Sequence, residues 1–327
     1  MAENRPIGWI AALMGGLLAA LALPPLGMPP LLWLALLPLW ALGPRQALAW
    51  GAAAVLLSHR WLLWLHPLDW VGVPLPLSLP LCVALWLALG LLGALLVAGW
   101  RWLVQRLGAE RPGTALLAAA LWGLAEVLLA KGPLFWMGLG AAALPGDRAL
   151  AGLAAWIGAG GLAALQLLLG WGLWRLLVAF TSPGRRGAPA WRWRGLALGL
   201  VVVLALHGCG WQLQQLAARP EPGAGARTVL VLQPAIPTRR KFEADQQGSL
   251  LRQLERAQRQ AERLEVGALL LPEGALALGQ PLPLPAGAPV LSGGFRLEGD
   301  ELRSALLVFP DGALEPAAAL DKHRLVP

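Results

Sequence analysis

The stretch RPEPGAGARTVLVLQ, residues 219–233, divides the chain into two chemistries. Proline and glycine punctuate residues 219–227, so that segment reads as a linker. TVLVLQ, residues 228–233, has the β-branched and aliphatic composition of a buried strand. Long apolar runs precede this stretch; strand and helix patterns alternate after it. The expected organisation is a membrane domain over 1–216, a linker over 217–227 and an α/β domain over 228–327.

To the left of the linker, seven runs approach the roughly 20 mostly apolar residues that a spanning helix needs. They cover 7–23, 29–43, 46–65, 75–99, 113–130, 149–180 and 195–216, the first two split by PPLGMPP. The composition agrees: of 327 residues, 57% are hydrophobic and 13% charged, with a mean hydropathy of +0.61. A soluble domain carries about 25% charged residues. Tryptophan is used 18 times and tyrosine never; tryptophan suits the membrane–water interface. The two cysteines, Cys82 and Cys209, lie in apolar runs, too few for a disulfide framework and placed as small buried hydrophobes.

The formal charge of +8 does not mark a nucleic-acid binder, because the arginines cluster in short loops between apolar runs. Arg5, Arg45, Arg101, Arg106, Arg111, Arg175, Arg185, Arg186, Arg192 and Arg194 fall on one side of the expected bundle, and Lys131, Arg148 and Arg60 on the other. The positive-inside rule places the arginine-rich side in the cytoplasm. The N-terminus is then cytoplasmic, and an odd number of spans sends the α/β domain to the outer side. No cleavable signal peptide is evident; the first run reads as a retained span.

To the right of the linker, residues 243–265 carry Leu250, Leu254, Ala257, Ala261 and Leu264 at three- and four-residue spacing, the pattern of an amphipathic helix. ALLL (268–271), APVLSGGF (288–295) and SALLVF (304–309) read as further strands, the last closed by the turn PDG. The domain reads as an incomplete α/β fold.

A few charged residues need an explanation. Glu126 lies inside the fifth run, where an ionisable group should face the bundle interior or a water-filled cavity. It is the polar lining of a substrate portal, a structural partner of Arg60 or Lys131, or a residue near the interface. Arg60, with His59 and His66, ends the third run among tryptophans, where a long cation snorkels to the interface. Glu273, in LLLPEGAL (269–276), follows a strand directly, and strand ends are where α/β sites assemble. By itself it reads as an exposed turn carboxylate. Asp321, Lys322 and His323 by themselves read as a polar turn after AAAL, and neither they nor any other cluster has metal-ligand spacing. Together, an acid at 273 and a cation at 322 could meet, one as general base and one as oxyanion stabiliser. A nucleophile is missing: Ser292 and Ser304 sit in no recognisable elbow.

These residues resemble the bacterial apolipoprotein N-acyltransferases, membrane proteins with an extracytoplasmic nitrilase-like domain. LALPPLGMPPLLWLALLPL (21–39) resembles their opening spans, and ALWGLAEVLLAKGPLFWMGLG (120–140) their fifth span with its intramembrane carboxylate, here Glu126. VLVLQPAIP (229–237) resembles the first nitrilase strand, LLLPEGAL the strand bearing the catalytic glutamate, and DKHRLVP (321–327) the lysine motif. Leu271, Gly274 and Leu320 depart from the family's usual residues beside these motifs. The resemblance implies an αββα nitrilase-like fold, a multi-pass protein of the bacterial inner membrane, Glu273 as general base and Lys322 as the lysine that stabilises the tetrahedral intermediate. The family's nucleophile, a cysteine after the lysine motif, is absent from these residues, so a polypeptide of residues 1–327 is expected to be inactive.

The implied reaction moves an acyl chain from a phospholipid to the N-terminal amine of a diacylglyceryl-cysteine in an apolipoprotein, with no metal or cofactor. The spans alone would also fit a transporter or channel with a soluble tail. The triad would also fit a membrane-tethered amidase, and the absent nucleophile an inactive remnant.

Overall fold

The structure, a computed structural model, describes residues 6–69, 72–132, 138–181, 190–218, 228–236 and 244–322. The chain forms two compact units, Met1–Arg219 and Pro220–Pro327. Residues 219–227, between the last helix of the first unit and the first strand of the second, lie outside the described residues, as do Arg5, Arg185, Arg186 and His323.

The first unit is helical. Its elements are α1 (Pro6–Ala22), α2 (Pro30–Ala41), α3 (Pro44–Ser58), a 3-10 turn (Arg60–Leu65), α4 (Leu75–Leu107) and α5 (Pro112–Ala130). A second 3-10 turn (Leu139–Ala142) leads through the single turns α6 (Ala143–Gly146) and α7 (Arg148–Ala151) to α8 (Ala154–Thr181) and α9 (Ala190–Ala217). Proline begins α2, α3 and α5, where its fixed φ suits the first helical turn and its missing N–H costs nothing.

Among the described residues four helices are long and apolar enough to cross a membrane: α4, α5, α8 and the Trp193–Ala217 part of α9. Helices α1 and α2 are shorter apolar helices; the 12 residues of α2 rise about 18 Å. The run at 46–65 divides into α3 and the 3-10 turn, and that at 149–180 into α7 and α8, which bends where Gly158 takes φ 63. Helix α4 continues beyond residue 99 because no breaker intervenes before Gly108, at φ 91. Arg101 is therefore not a loop charge. It is buried within α4 and donates through Nε to the carbonyl of Leu42, just past the end of α2, where the carbonyls left open at a helix end favour a cation.

Two devices hold the helices together. Small residues let backbones touch: a Cβ on Gly123 of α5 would stand 2.3 Å from the carbonyl oxygen of Gly160 of α8, and one on Gly51 of α3 would stand 2.5 Å from that of Gly93 of α4. Indole N–H groups then tie helix to helix. Trp40 donates to Leu167 O, Trp50 to Ala35 O, Trp86 to Leu56 O and Trp100 to Ala118 O, at 3.1, 3.1, 2.7 and 2.8 Å. In lipid, where burying apolar area gives no drive to associate, close packing and such bonds hold a bundle.

The second unit is an α/β fold: β1 (Val229–Val231), α10 (Ala244–Arg263), β2 (Ala268–Leu270), β3 (Val290–Glu298), β4 (Glu301–Phe309) and β5 (Ala318–Asp321). They form one five-stranded sheet in the order β1-β2-β3-β4-β5, with β1, β2 and β3 parallel and β4 and β5 antiparallel to their neighbours. Leu250, Leu254, Ala257 and Ala261 of α10 are buried, the first three packing with Leu269, Val290, Leu307 and Phe309 of the sheet. Leu264 of the expected stripe falls one residue past the helix and is exposed. The fourth strand begins earlier than expected, at Glu301. The fifth was hidden because Ala318 and Ala319 have little strand propensity; pairing with Leu307 and Val308 makes them one.

Candidate active site

Strand β2 leads directly into the Glu273 turn. The Leu271 N–H still bonds Leu291 O at 2.9 Å. Pro272, with no N–H, ends the ladder. Gly274 takes φ 60, a left-handed conformation open to glycine, and the Ala275 and Leu276 N–H groups both donate to Gly293 O at 3.0 and 3.2 Å. The turn is thereby stitched onto β3. It can lie there because position 293 has no side chain: a Cβ on Gly293 would stand 2.4 Å from Cα of Glu273. A glycine inside a strand marks such an approach, and the consecutive glycines of LSGGF were the signal available in the sequence.

Lys322 follows β5, and its N–H donates to Ser304 O at 2.9 Å. Its ammonium then reaches Glu273: Nζ lies 2.8 Å from Oε1, with side-chain exposures of 31% and 66%. The acid and the cation, 49 residues apart, thus meet.

Asp321 does something different. Successive strand residues face opposite sides, and Asp321 turns to the arginines of β3 and β4. Arg296 grips it with both ends of its fork, Nε to Oδ1 and Nη2 to Oδ2 at 2.6 Å each, and Arg303 Nη1 adds a contact at 3.2 Å. These bonds, Arg296's first, hold the Asp321 carboxyl down at about 2. Nothing in the spacing announced this clamp; it requires the β3–β4 hairpin register that sets Arg296 opposite Arg303. Ser292 is buried and donates to Gly293 O at 3.1 Å, away from nucleophilic work. Both cysteines belong to the helical unit.

In the helical unit, Glu126 is buried and accepts bonds from Trp122 Nε1 at 2.8 Å and the Leu139 N–H at 2.7 Å, with the Gly140 N–H at 3.5 Å. Neither Arg60 nor Lys131 is among these donors. Arg60 bonds Leu57 O at 3.1 Å and His66 Nδ1 lies 2.9 Å from the Ser78 hydroxyl. Glu126, His59 and Ser58 stand on the wall of a cavity of about 290 Å³ among α1, α3, α4 and α5, whose other lining groups are apolar and include Trp50, Trp100 and Trp122.

The Apolipoprotein N-acyltransferase N-terminal domain model matches residues 15–172. A protein named Apolipoprotein N-acyltransferase from Parasynechococcus marenigrum (strain WH8102) is 46% identical over 345 residues, covering 100% of this chain and 68% of the relative. The chain belongs to the apolipoprotein N-acyltransferase family. A protein of the same name from Prochlorococcus marinus (strain MIT 9313) is 48% identical over 340 residues, covering 100% of this chain and 66% of the relative. The chain thus spans about two thirds of the length of these curated relatives. The family model lies within the helical unit and ends in α8; the α/β unit is covered by the matches that run the whole chain.

Proposed function

We propose that the chain carries two of the three catalytic groups of a lipoprotein N-acyltransferase. The observation that supports this most is the 2.8 Å contact of Lys322 Nζ with Glu273 Oε1, formed between a β2–β3 turn and the end of β5. Glu273 is the general base and Lys322 the fixed cation. The missing member is a cysteine supplied by neither Cys82 nor Cys209.

In the first half-reaction Glu273 takes the proton from that thiol, and the thiolate attacks the ester carbonyl of a phospholipid. Lys322 stabilises the oxyanion of the tetrahedral intermediate. The ester C–O bond breaks, and Glu273 returns the proton to the departing alkoxide, releasing lysophospholipid. In the second half, the free amine of a diacylglyceryl-cysteine at the N-terminus of an apolipoprotein attacks the thioester. The C–S bond breaks, an amide forms and the thiol is restored. Covalent catalysis divides one difficult transfer into two easier ones. The helical unit keeps both acylated substrates in lipid, and Glu126, fixed by three donors, shapes the polar part of its cavity rather than entering the chemistry.

On this reading the α/β unit is the first half of a nitrilase-like sandwich on the outer face of a bacterial inner membrane, a side that the arginine-rich loops support. Leu297, Leu302, Leu306 and Leu320 are exposed on β3, β4 and β5. Leu297 pairs with Leu302 and Leu306 with Leu320; such an apolar stripe is the face that a second sheet would cover.

The test uses these residues extended with the remaining third of a curated relative, with phospholipid and a diacylated lipopeptide. N-acylated peptide and a trapped thioester are expected. Lys322→Ala should lower thioester formation by at least about 100-fold, while near-normal thioester would overturn the assignment. Hydrolysis of small amides without acyl transfer would favour a tethered amidase. A polypeptide of residues 1–327 alone should give no N-acylated product.

A further inference from the structure

We infer that α10 docks on a lipid surface through a stripe of four arginines that binds anionic phospholipid headgroups, independently of the Glu273–Lys322 pair. Arg252, Arg256, Arg259 and Arg263 are all exposed on this helix. At about 100° per residue they fall within about 60° of one another, along a rise of about 17 Å. The buried Leu250, Leu254, Ala257 and Ala261 are centred about 160° away, so the stripe points away from the sheet. Successive arginines stand four, three and four residues apart, the spacings at which like charges on a helix repel. An anionic partner relieves that repulsion.

The unit does not balance these charges itself. Among the described residues no carboxylate lies in salt-bridge range of any of the four, although Glu255 and Glu262 flank the stripe at three- and four-residue spacing. Asp245, in line with the stripe about two turns earlier, takes a bond from Gln246 at 2.9 Å. The arginines of β3 and β4 behave otherwise: Arg296 and Arg303 are tied to Asp321, Glu298 and Glu301. The apolar face of α10 is occupied by the sheet, so the helix cannot insert into lipid and meets it through charge alone. Guanidinium forks pair with phosphate in a fixed geometry, and a straight row of them suits a plane of headgroups. Such a plane is close at hand, because only residues 218–228 separate β1 from α9, a helix apolar enough to cross a membrane. A soluble acidic polypeptide would have to be recruited; the lipid is always there.

Modification of arginines by phenylglyoxal, read residue by residue by mass spectrometry, tests this on the 327-residue chain in lipid nanodiscs. The four α10 arginines should react about fivefold more slowly in discs that contain phosphatidylglycerol than in discs of phosphatidylcholine alone, the effect of one basic residue held at an anionic surface. Arg296 and Arg303, held by carboxylates, should react alike in both discs and serve as the reference. Salt at about 0.5 M should abolish the difference. Arg256→Gln combined with Arg259→Gln should cost Arg252 and Arg263 most of their protection, with a thermal melt to verify folding. Glu255→Gln combined with Glu262→Gln, which leaves the stripe more positive, should deepen it. Equal rates in the two discs, slowing shared equally by Arg296 and Arg303, or protection that survives salt or the double arginine variant would overturn the inference. So would protection by soluble polyglutamate in phosphatidylcholine discs with no effect of phosphatidylglycerol, which would make the partner an acidic protein.

Discussion

Two carboxylates, one in each unit, have opposite surroundings. Glu126 is buried, and its oxygens are spent on Trp122 Nε1 and the N–H groups of Leu139 and Gly140. Its donors are fixed on α5 and on the 3-10 turn that follows, so the carboxylate works as a rivet between them. Glu273 is two-thirds exposed, rides on a turn, and meets an ammonium at the end of a flexible four-carbon stem. A carboxylate fixed by indole and backbone donors is held in one place. One that faces water at a turn beside an ammonium is open to a substrate. The difference separates an acid that holds structure from one available for chemistry, although by sequence the buried one is the more conspicuous.

The largest effects should fall on opposite properties in the two units. In a protein that extends these residues to the length of the curated relatives, Glu273→Gln should lower acyl transfer by about 100- to 10,000-fold, the usual contribution of a general base. It should leave unfolding free energy within about 0.5 kcal/mol, as for an exposed side chain. Glu126→Ala should do the reverse. It strands the Trp122 and Leu139 donors in a buried place, at a cost of about 2–5 kcal/mol, read as a lower melting temperature in detergent. Glu126→Gln keeps one acceptor oxygen and should recover part of that loss. A Glu273→Gln protein that fails to fold, or a Glu126→Ala protein that melts normally but cannot transfer acyl chains, would exchange the two roles.

How far the sequence disclosed these differences depends on the range of the cause. The α10 stripe and strands β2 to β4 follow from local periodicity, and Glu273 was legible because a strand, a proline and a glycine are adjacent. The 273–322 encounter was raised by the placement of an acid and a cation beside strands and was strengthened by the resemblance, since nothing local links residues 49 positions apart. Strand β5 and the Arg296–Arg303 clamp on Asp321 were hidden because they arise from pairing between strands. The same holds for Arg101, whose charge pointed to a loop. It lies within α4, and the carbonyl that accepts its bond belongs to Leu42, 59 residues away. The tryptophans looked like an interfacial belt. Trp40, Trp50, Trp100 and Trp86 instead join helices, and Trp40, Trp100 and Trp122 stack edge to face with centroids 5.0 and 5.1 Å apart.

That use of tryptophan gives a smaller test of how the units differ. Trp100→Phe keeps an aromatic ring but deletes the N–H that bonds Ala118 O. The expected cost is about 0.6 kcal/mol, the average for a hydrogen bond between membrane helices. In the α/β unit, water supplies the drive, and truncating a buried leucine there typically costs about 2–5 kcal/mol. If Trp100→Phe costs as much as Leu254→Ala, the helical unit is held by aqueous burial and its assignment to lipid fails.

The smallest effect is confined to acid. Asp321 has its folded-state pKa lowered from 3.8 to about 2, chiefly by the Arg296 bond and further by Arg303. A carboxylate more acidic in the folded state than in the unfolded one favours folding only while ionised. Its contribution is therefore complete above pH 4 and declines as pH falls toward 2. Glu298 shares both arginines, at 3.3 Å from Arg296 and 2.6 Å from Arg303, so part of the clamp's charge is balanced without Asp321, and exposure to water weakens the rest. Asp321→Asn should lower the melting temperature of the α/β unit slightly at neutral pH and flatten its decline between pH 4 and pH 2. The helical unit has no such exposed clamp among its described ion pairs and should melt alike in both proteins. A decline between pH 4 and pH 2 that Asp321→Asn leaves untouched would assign it to other carboxylates. The clamp would then be a static strut of the sheet edge and not a source of acid sensitivity.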